Sequence, residues 1–189
     1  MTTLYVVLGI IVVIALLVVS MYNGLIRLKN RVDEAWSDID VQLKRRYDLI
    51  PNLIETVKGY AAHEQATFEK VVTARNLAMS AQQSGDAEAQ AQAENTLSGT
   101  LKSIFALAEN YPDLKANQNF LELQSQLEGT ENRINVARDR FNSTVEPYNL
   151  HIKKFPNSIL AGIFNFDELA YYKADAGSEN APDVNFEFN

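Results

Sequence analysis

Apolar residues are distributed along this chain in two different ways. Between positions 4 and 21 they are continuous, LYVVLGIIVVIALLVVSM, and no charged side chain appears before Arg27. About 20 apolar residues at 1.5 Å each match the roughly 30 Å hydrocarbon layer of a bilayer. Leu4, Val7, Ile10, Ile14, Leu17 and Met21 mark successive turns of the spanning helix this predicts. A cleaved signal peptide is the competing reading. It is disfavoured because no Lys or Arg precedes the apolar stretch and no clear small-residue cleavage site follows it.

Beyond the run, the spacing changes. Leu25, Leu28, Val32, Ala35 with Trp36, Ile39, Leu43, Ile50, Leu53 with Ile54, and Val57 recur in steps of three and four. That pattern predicts a helix with one buried face, broken only at Arg46 and Tyr47. If the helix continues from the span, residues 4–50 form a rod of ~70 Å. Pro51 cannot donate to the carbonyl four residues earlier, yet the apolar phase persists beyond it, so a kink is expected rather than a stop.

A second helix is predicted over 66–83, with Phe68, Val71, Val72, Arg75 and Met79 inward, followed by a turn at Ser84-Gly85-Asp86. Residues 87–96 are Ala, Gln, Glu and Asn with almost nothing large to bury, so they are expected to be helical but the least anchored part. Apolar residues resume at Leu97, Leu101, Ile104, Phe105 and Ala108, before Asn110-Tyr111-Pro112-Asp113 breaks the chain. A last helix runs from Leu114 through Phe120, Leu127, Ile134, Phe141, Val145 and Tyr148 to Phe155, ~63 Å long. Pro147 should kink it and Pro156 should end it. Val184, Phe186 and Phe188 alternate like a lone strand.

The expected fold is therefore all-α. An N-terminal transmembrane helix (1–26) precedes an extended antiparallel four-helix bundle (27–173), and a short C-terminal arm (174–189) follows.

Composition narrows the function more than it defines it. The chain has 189 residues, 47% apolar and 22% charged, enough for one domain and an appendage. Acidic residues outnumber basic ones by 24 to 17, a poor balance for neutralising nucleic-acid phosphates. The lack of Cys removes disulfides, thiolate zinc sites and thiol nucleophiles. His63 and His151 stand outside any metal-binding spacing, and no phosphate-cradling glycine loop or GxSxG occurs. No catalytic, cofactor or metal residue is expected, and neither is a nucleic-acid partner.

The charges Asp33, Glu34, Asp38, Asp40, Lys44, Arg45 and Arg46 on the first helix, and Glu128, Glu131, Arg133, Arg138, Asp139 and Arg140 on the last, read either as solvated faces or as bridges between antiparallel helices. Trp36 falls on the apolar face. Asn52, Asn132, Asn135, Asn142 and Asn149 lie near the apolar stripe, where buried amides pair and set register; surface positions without a role are the alternative.

Arg27, Lys29 and Arg31 directly follow the span, so the positive-inside rule puts the N-terminus outside and the helical part in the cytoplasm of a cell membrane. An up-down topology returns Lys153 and Lys154 to the same bilayer surface. The uncharged stretch 157–166, with Ile159, Leu160, Ile163 and Phe164, then either dips into the interface or caps the bundle. Membrane lipid, and a second copy or a membrane-protein partner, are the expected contacts.

RVDEAWSDIDVQLKRR at 31–46, DLIPNLIETVKGYAAHE at 48–64 and LEGTENRINVARDRFN at 127–142 resemble the LemA family. The resemblance extends to Tyr148-Asn149, to FPNSILAGIF at 155–164 and to APDVNF at 181–186. It implies an all-helical, membrane-attached protein and supplies no biochemical activity. The function expected is a non-catalytic, self-associating membrane scaffold or adaptor, with a regulator or substrate adaptor of a membrane enzyme such as a protease as the alternative.

Overall fold

The computed structural model describes residues 1–172, and among them the secondary structure is helical throughout. The helices are α1 (Thr2–Lys58), α2 (Gln65–Ser84), α3 (Ala87–Ala108), α4 (Pro112–Lys115), α5 (Gln118–Lys153) and α6 (Asn157–Ile163). The strand-like alternation at Val184, Phe186 and Phe188 and the 174–189 arm lie outside the described residues.

α1 is one helix of 57 residues with Pro51 inside it. The missing donor at Pro51 does not end the helix, because Ile50, Leu53, Ile54 and Val57 are all buried and hold both sides of it. The apolar run at its start is long enough to cross a membrane, and none of it is buried against other protein.

The described residues form two compact units, a division that falls inside the 27–173 segment. The first comprises Met1–Arg46 and Glu128–Tyr171. Here α1 and α5 pair antiparallel. Leu25, Val32, Ala35, Ile39 and Leu43 from α1 meet Ile134, Ala137, Phe141, Val145, Tyr148 and Ile152 from α5 as the buried face. Trp36 stacks edge-on to Phe141, ring centroids 5.2 Å apart. Two ion pairs tie the helices together: Arg140 Nη1 to Asp38 Oδ2 at 2.8 Å, and Arg46 Nη1 to Glu131 Oε2 at 2.8 Å. These charges bridge helices rather than merely facing solvent.

Arg46 corrects the expected break in the stripe. It is only 3% exposed, its stem buried with the apolar residues and its guanidinium met by Glu131.

The second unit holds Tyr47–Leu127. In it α2 lies against α3, and Phe105 of α3 meets Phe120 of α5 with ring centroids 6.2 Å apart. The hairpin turns at Gly85, whose φ of 71° belongs to the left-handed region that closes helices. Asp86 then caps α3 by accepting from the amides of Glu88 and Ala89 at 2.9 and 3.2 Å.

Residues 87–96 are not the loose part their composition suggested. Gln90 and Glu94 are both fully buried, and the Tyr47 hydroxyl donates a short hydrogen bond to the Glu94 carboxylate. Arg75 Nε donates to the Tyr47 carbonyl at 2.9 Å. The interior here is joined by polar side chains, which hydrophobic periodicity does not register. The inward face of α2 is likewise shifted. Phe68, Val71, Ala74 and Ala78 are buried, whereas Val72 is exposed and Arg75 is turned to its bond with Tyr47.

The last long helix begins later and ends earlier than its apolar pattern. Leu114 belongs to α4, and Asn117 Oδ1 accepts from the Phe120 amide at 3.0 Å to open α5. Pro147 lies within α5 without ending it. Phe155, assigned from spacing to the buried face, lies past the end of α5 and is 81% exposed. The Phe155-Pro156 peptide is cis.

Glu131→Ala removes the carboxylate from a buried guanidinium. It is expected to lower stability by about 2–3 kcal/mol, under the range for a fully enclosed pair because Glu131 is partly open to solvent. Asp38→Ala, whose partner Arg140 is exposed, should cost below about 1 kcal/mol. Urea unfolding of the two variants in detergent measures the difference. Tyr47→Phe takes a donor from buried Glu94 and is expected to cost about 1–3 kcal/mol by the same measurement.

Candidate functional site

The first unit carries the most distinctive geometry, where α1 leaves its apolar run. Tyr22 follows that run directly. Its ring lies 4.8 Å from that of Phe164 and 6.0 Å from that of Phe166, centroid to centroid. These contacts hold α6 beside α1. Leu160 and Ala161 turn inward and are buried, whereas Ile159, Ile163 and Phe164 are exposed. The segment thus caps the helix pair with one face and presents apolar side chains with the other.

Asn165 is the one non-glycine residue with positive φ, 55°, among the described residues, a conformation that Asn tolerates better than most. From there the chain returns along α5. The Tyr148 hydroxyl donates to the Asp167 carbonyl at 3.0 Å. Asn149 makes two bonds to a single residue: its Nδ2 donates to the Leu169 carbonyl at 2.8 Å, and its Oδ1 accepts from the Leu169 amide at 3.0 Å. Lys153 pairs with Glu168 just beyond.

Burial pushes the Tyr148 phenol above its ordinary pKa, and the negative charges of Asp167 and then Asp33 add to the shift. The neutral hydroxyl is the form that donates to Asp167.

Between α1 and the end of α5 lies a cleft of about 450 Å³. Arg27 and Arg31 line it from α1, and His151 and Lys154 from α5 and the residue after it; among the described residues no carboxylate lines it. His151 Nε2 lies 3.0 Å from the Asn157 side-chain amide nitrogen, which donates to it in the tautomer whose proton sits on Nδ1. Gly24 forms part of the wall, and a Cβ there would stand 3.9 Å from the same ring nitrogen.

The five basic residues expected near the membrane therefore fall into two groups. Lys29 is engaged by Asp33 at 2.6 Å and Lys153 by Glu168. Arg27, Arg31 and Lys154 face the cleft.

The amides separate in a similar way. Asn149 is buried and bonded as described, and Asn142 is half-buried. Asn52, Asn132 and Asn135 are exposed, just off the buried stripe, and Asn135 Oδ1 accepts from Arg138 Nη1 at 3.4 Å. Trp36 is half-buried against Phe141. Periodicity pointed to none of the partners in the 167–169 segment, because that stretch has no helical or strand pattern. Among the described residues, no group of three or more His, Asp or Glu is placed to hold a metal ion.

Tyr148 yields a pH-dependent expectation with a definite sign. Its folded pKa is raised, so its contribution is complete below the ordinary tyrosine value of 10.0 and is lost as pH climbs through the folded value. Spectrophotometric titration should show one tyrosine ionising late, and Tyr148→Phe should remove that phase.

A family model described as the LemA family matches residues 35–186 of the chain. Among curated relatives, magnetosome protein MamQ of Magnetospirillum gryphiswaldense is 23% identical over 174 residues, covering 80% of this chain and 64% of its own length. The chain thus spans less than two thirds of that relative. Magnetosome protein MamQ 2 of Paramagnetospirillum magneticum is 23% identical over 190 residues, covering 88% of this chain and 70% of the relative. Protein LemA of Metamycoplasma hominis is 25% identical over 154 residues, covering 80% and 68% respectively. With a family match running over most of its length and an all-helical fold behind an apolar N-terminal helix, the chain belongs to the LemA family.

Proposed function

We propose that this protein is a single-pass membrane-anchored scaffold that self-associates through its α1–α5 pair and carries out no catalysis. The apolar start of α1 is the anchor, with the N-terminus outside and the helical units in the cytoplasm, as the basic residues after the span favour. Because α1 is unbroken from Thr2 to Lys58, whatever the α1–α5 pair binds is held to the membrane by a rigid element.

The observation that carries the reading is a pair of exposed valines. Val41 on α1 and Val136 on α5 are 61% and 68% exposed. They lie close to the Asp38–Arg140 bridge in sequence, and Val136 lines an open groove of about 410 Å³ with Asp38, Gln42 and Asn132. Two helices packed on one seam leave their outer faces uncovered, and a second copy in the same bilayer meets that face at raised effective concentration. The magnetosome proteins among the relatives are named for the structure they belong to rather than for a reaction, which lends weight to a building role.

Light scattering of the full chain in mild detergent is expected to give a discrete homo-oligomer. Val41→Glu combined with Val136→Glu should reduce it to monomer while leaving the helical circular dichroism unchanged. A wild-type monomer carrying a stoichiometric membrane enzyme would replace self-assembly with the adaptor reading.

A further inference from the structure

We infer that the cleft between α1 and the end of α5 is a binding site for the phosphate of an anionic phospholipid headgroup. The inference rests on the anchoring part of the proposal above and names the lipid chemistry that the anchored chain recognises.

Charge distribution is the first argument. The protein carries a net charge of -7, yet this cleft gathers Arg27, Arg31 and Lys154 with His151, and among the described residues no acidic side chain lines it. The nearby carboxylates Asp33 and Glu168 are held elsewhere, by Lys29 and Lys153. The sorting is specific: the two lysines with carboxylate partners are absent from the lining, and the three other membrane-proximal cations converge on it. Guanidinium groups present planar donor pairs that match phosphate oxygens, and an ammonium adds a point charge.

Depth is the second argument. Arg27 lies six residues beyond Met21, about 9 Å along a helix, and headgroups occupy roughly 5–8 Å on each side of the hydrocarbon layer. Helical side chains lean toward the N-terminus of their helix. α1 leaves the bilayer in the N-to-C direction, so Arg27 and Arg31 lean back toward the lipid surface.

Apolar side chains flank the cleft. Leu150, Phe155, Ile159, Ile163 and Phe164 are exposed around this end of the pair, and Tyr22 ties α6 to the first turn after the span. A phospholipid bound with its phosphate in the cleft lays its acyl chains against such side chains. A soluble anion has no use for them. Gly24 keeps the wall low, so the headgroup enters between the helices rather than resting on top of them.

The test uses the full chain in nanodiscs of phosphatidylcholine with and without phosphatidylglycerol, with retained lipid identified by native mass spectrometry. Carbonate extraction of wild-type protein from vesicles is done first: release would overturn the anchoring reading, whereas retention leaves the lipid site to be judged alone. Wild type is expected to retain phosphatidylglycerol selectively. The triple variant Arg27→Gln, Arg31→Gln, Lys154→Gln should lose about a hundredfold in affinity, from roughly fivefold per cation near the surface. The control variant, in which both pairs are removed together (Lys29→Gln with Asp33→Asn, Lys153→Gln with Glu168→Gln), should bind as wild type.

Equal losses in the two variants would overturn the inference, as a general basic collar would then explain retention. Inorganic phosphate is the second probe, titrated into phosphatidylcholine nanodiscs. Absence of saturable binding supports the lipid source, and tight binding with displacement of phosphatidylglycerol would overturn it in favour of a soluble phosphate. Gly24→Leu, which fills the wall without touching a charge, should weaken retention as well.

Discussion

The geometry where α1 leaves its apolar run depends on the register of α1 against α5, and that register is held by the buried pair of Arg46 and Glu131. A guanidinium with almost no solvent access accepts one placement of its carboxylate, since a shift of a turn would leave it buried away from that partner. With that pair in place, Asp38 meets Arg140, Trp36 meets Phe141, and Gly24 stands beside His151. The cleft is the downstream result. Its cations come from two helices that run in opposite directions, so only one alignment gathers them.

The second unit solves a different problem. α3 begins with a stretch that has few large apolar groups to offer, and it is held by Tyr47 and Glu94 instead. Polar contacts of this kind define a partner more sharply than interchangeable apolar side chains do, because a mismatched alternative leaves buried groups without hydrogen bonds. Asp86 and Gly85 contribute at the near end by fixing where the hairpin turns and where α3 starts.

Much of this was legible in the sequence. A continuous apolar run, stripes at three-four spacing and a turn at Ser84-Gly85-Asp86 have direct physical readings, and α1, α2, α3 and α5 appear close to where those patterns put them. Much of what periodicity missed is buried and polar. Arg46, Gln90 and Glu94 are buried, and a pattern built on hydrophobicity counts them as solvent-facing. The split of the basic residues was hidden for a related reason, as the pairing of Lys153 with Glu168 depends on a segment without regular structure. The family resemblance conveyed the fold and left the chemistry of the cleft unstated.

The double bond from Asn149 to Leu169 narrows what this position can be. An amide side chain offers a donor and an acceptor side by side, and here it meets both backbone groups of one residue as a neighbouring strand would. Aspartate keeps the acceptor but turns a carboxylate toward the Leu169 carbonyl, and glutamine reaches one methylene too far. Deamidation of this single side chain would turn the clasp into a repulsion and leave the 167–169 segment to its bonds with Tyr148 and Lys153, without altering any apolar contact.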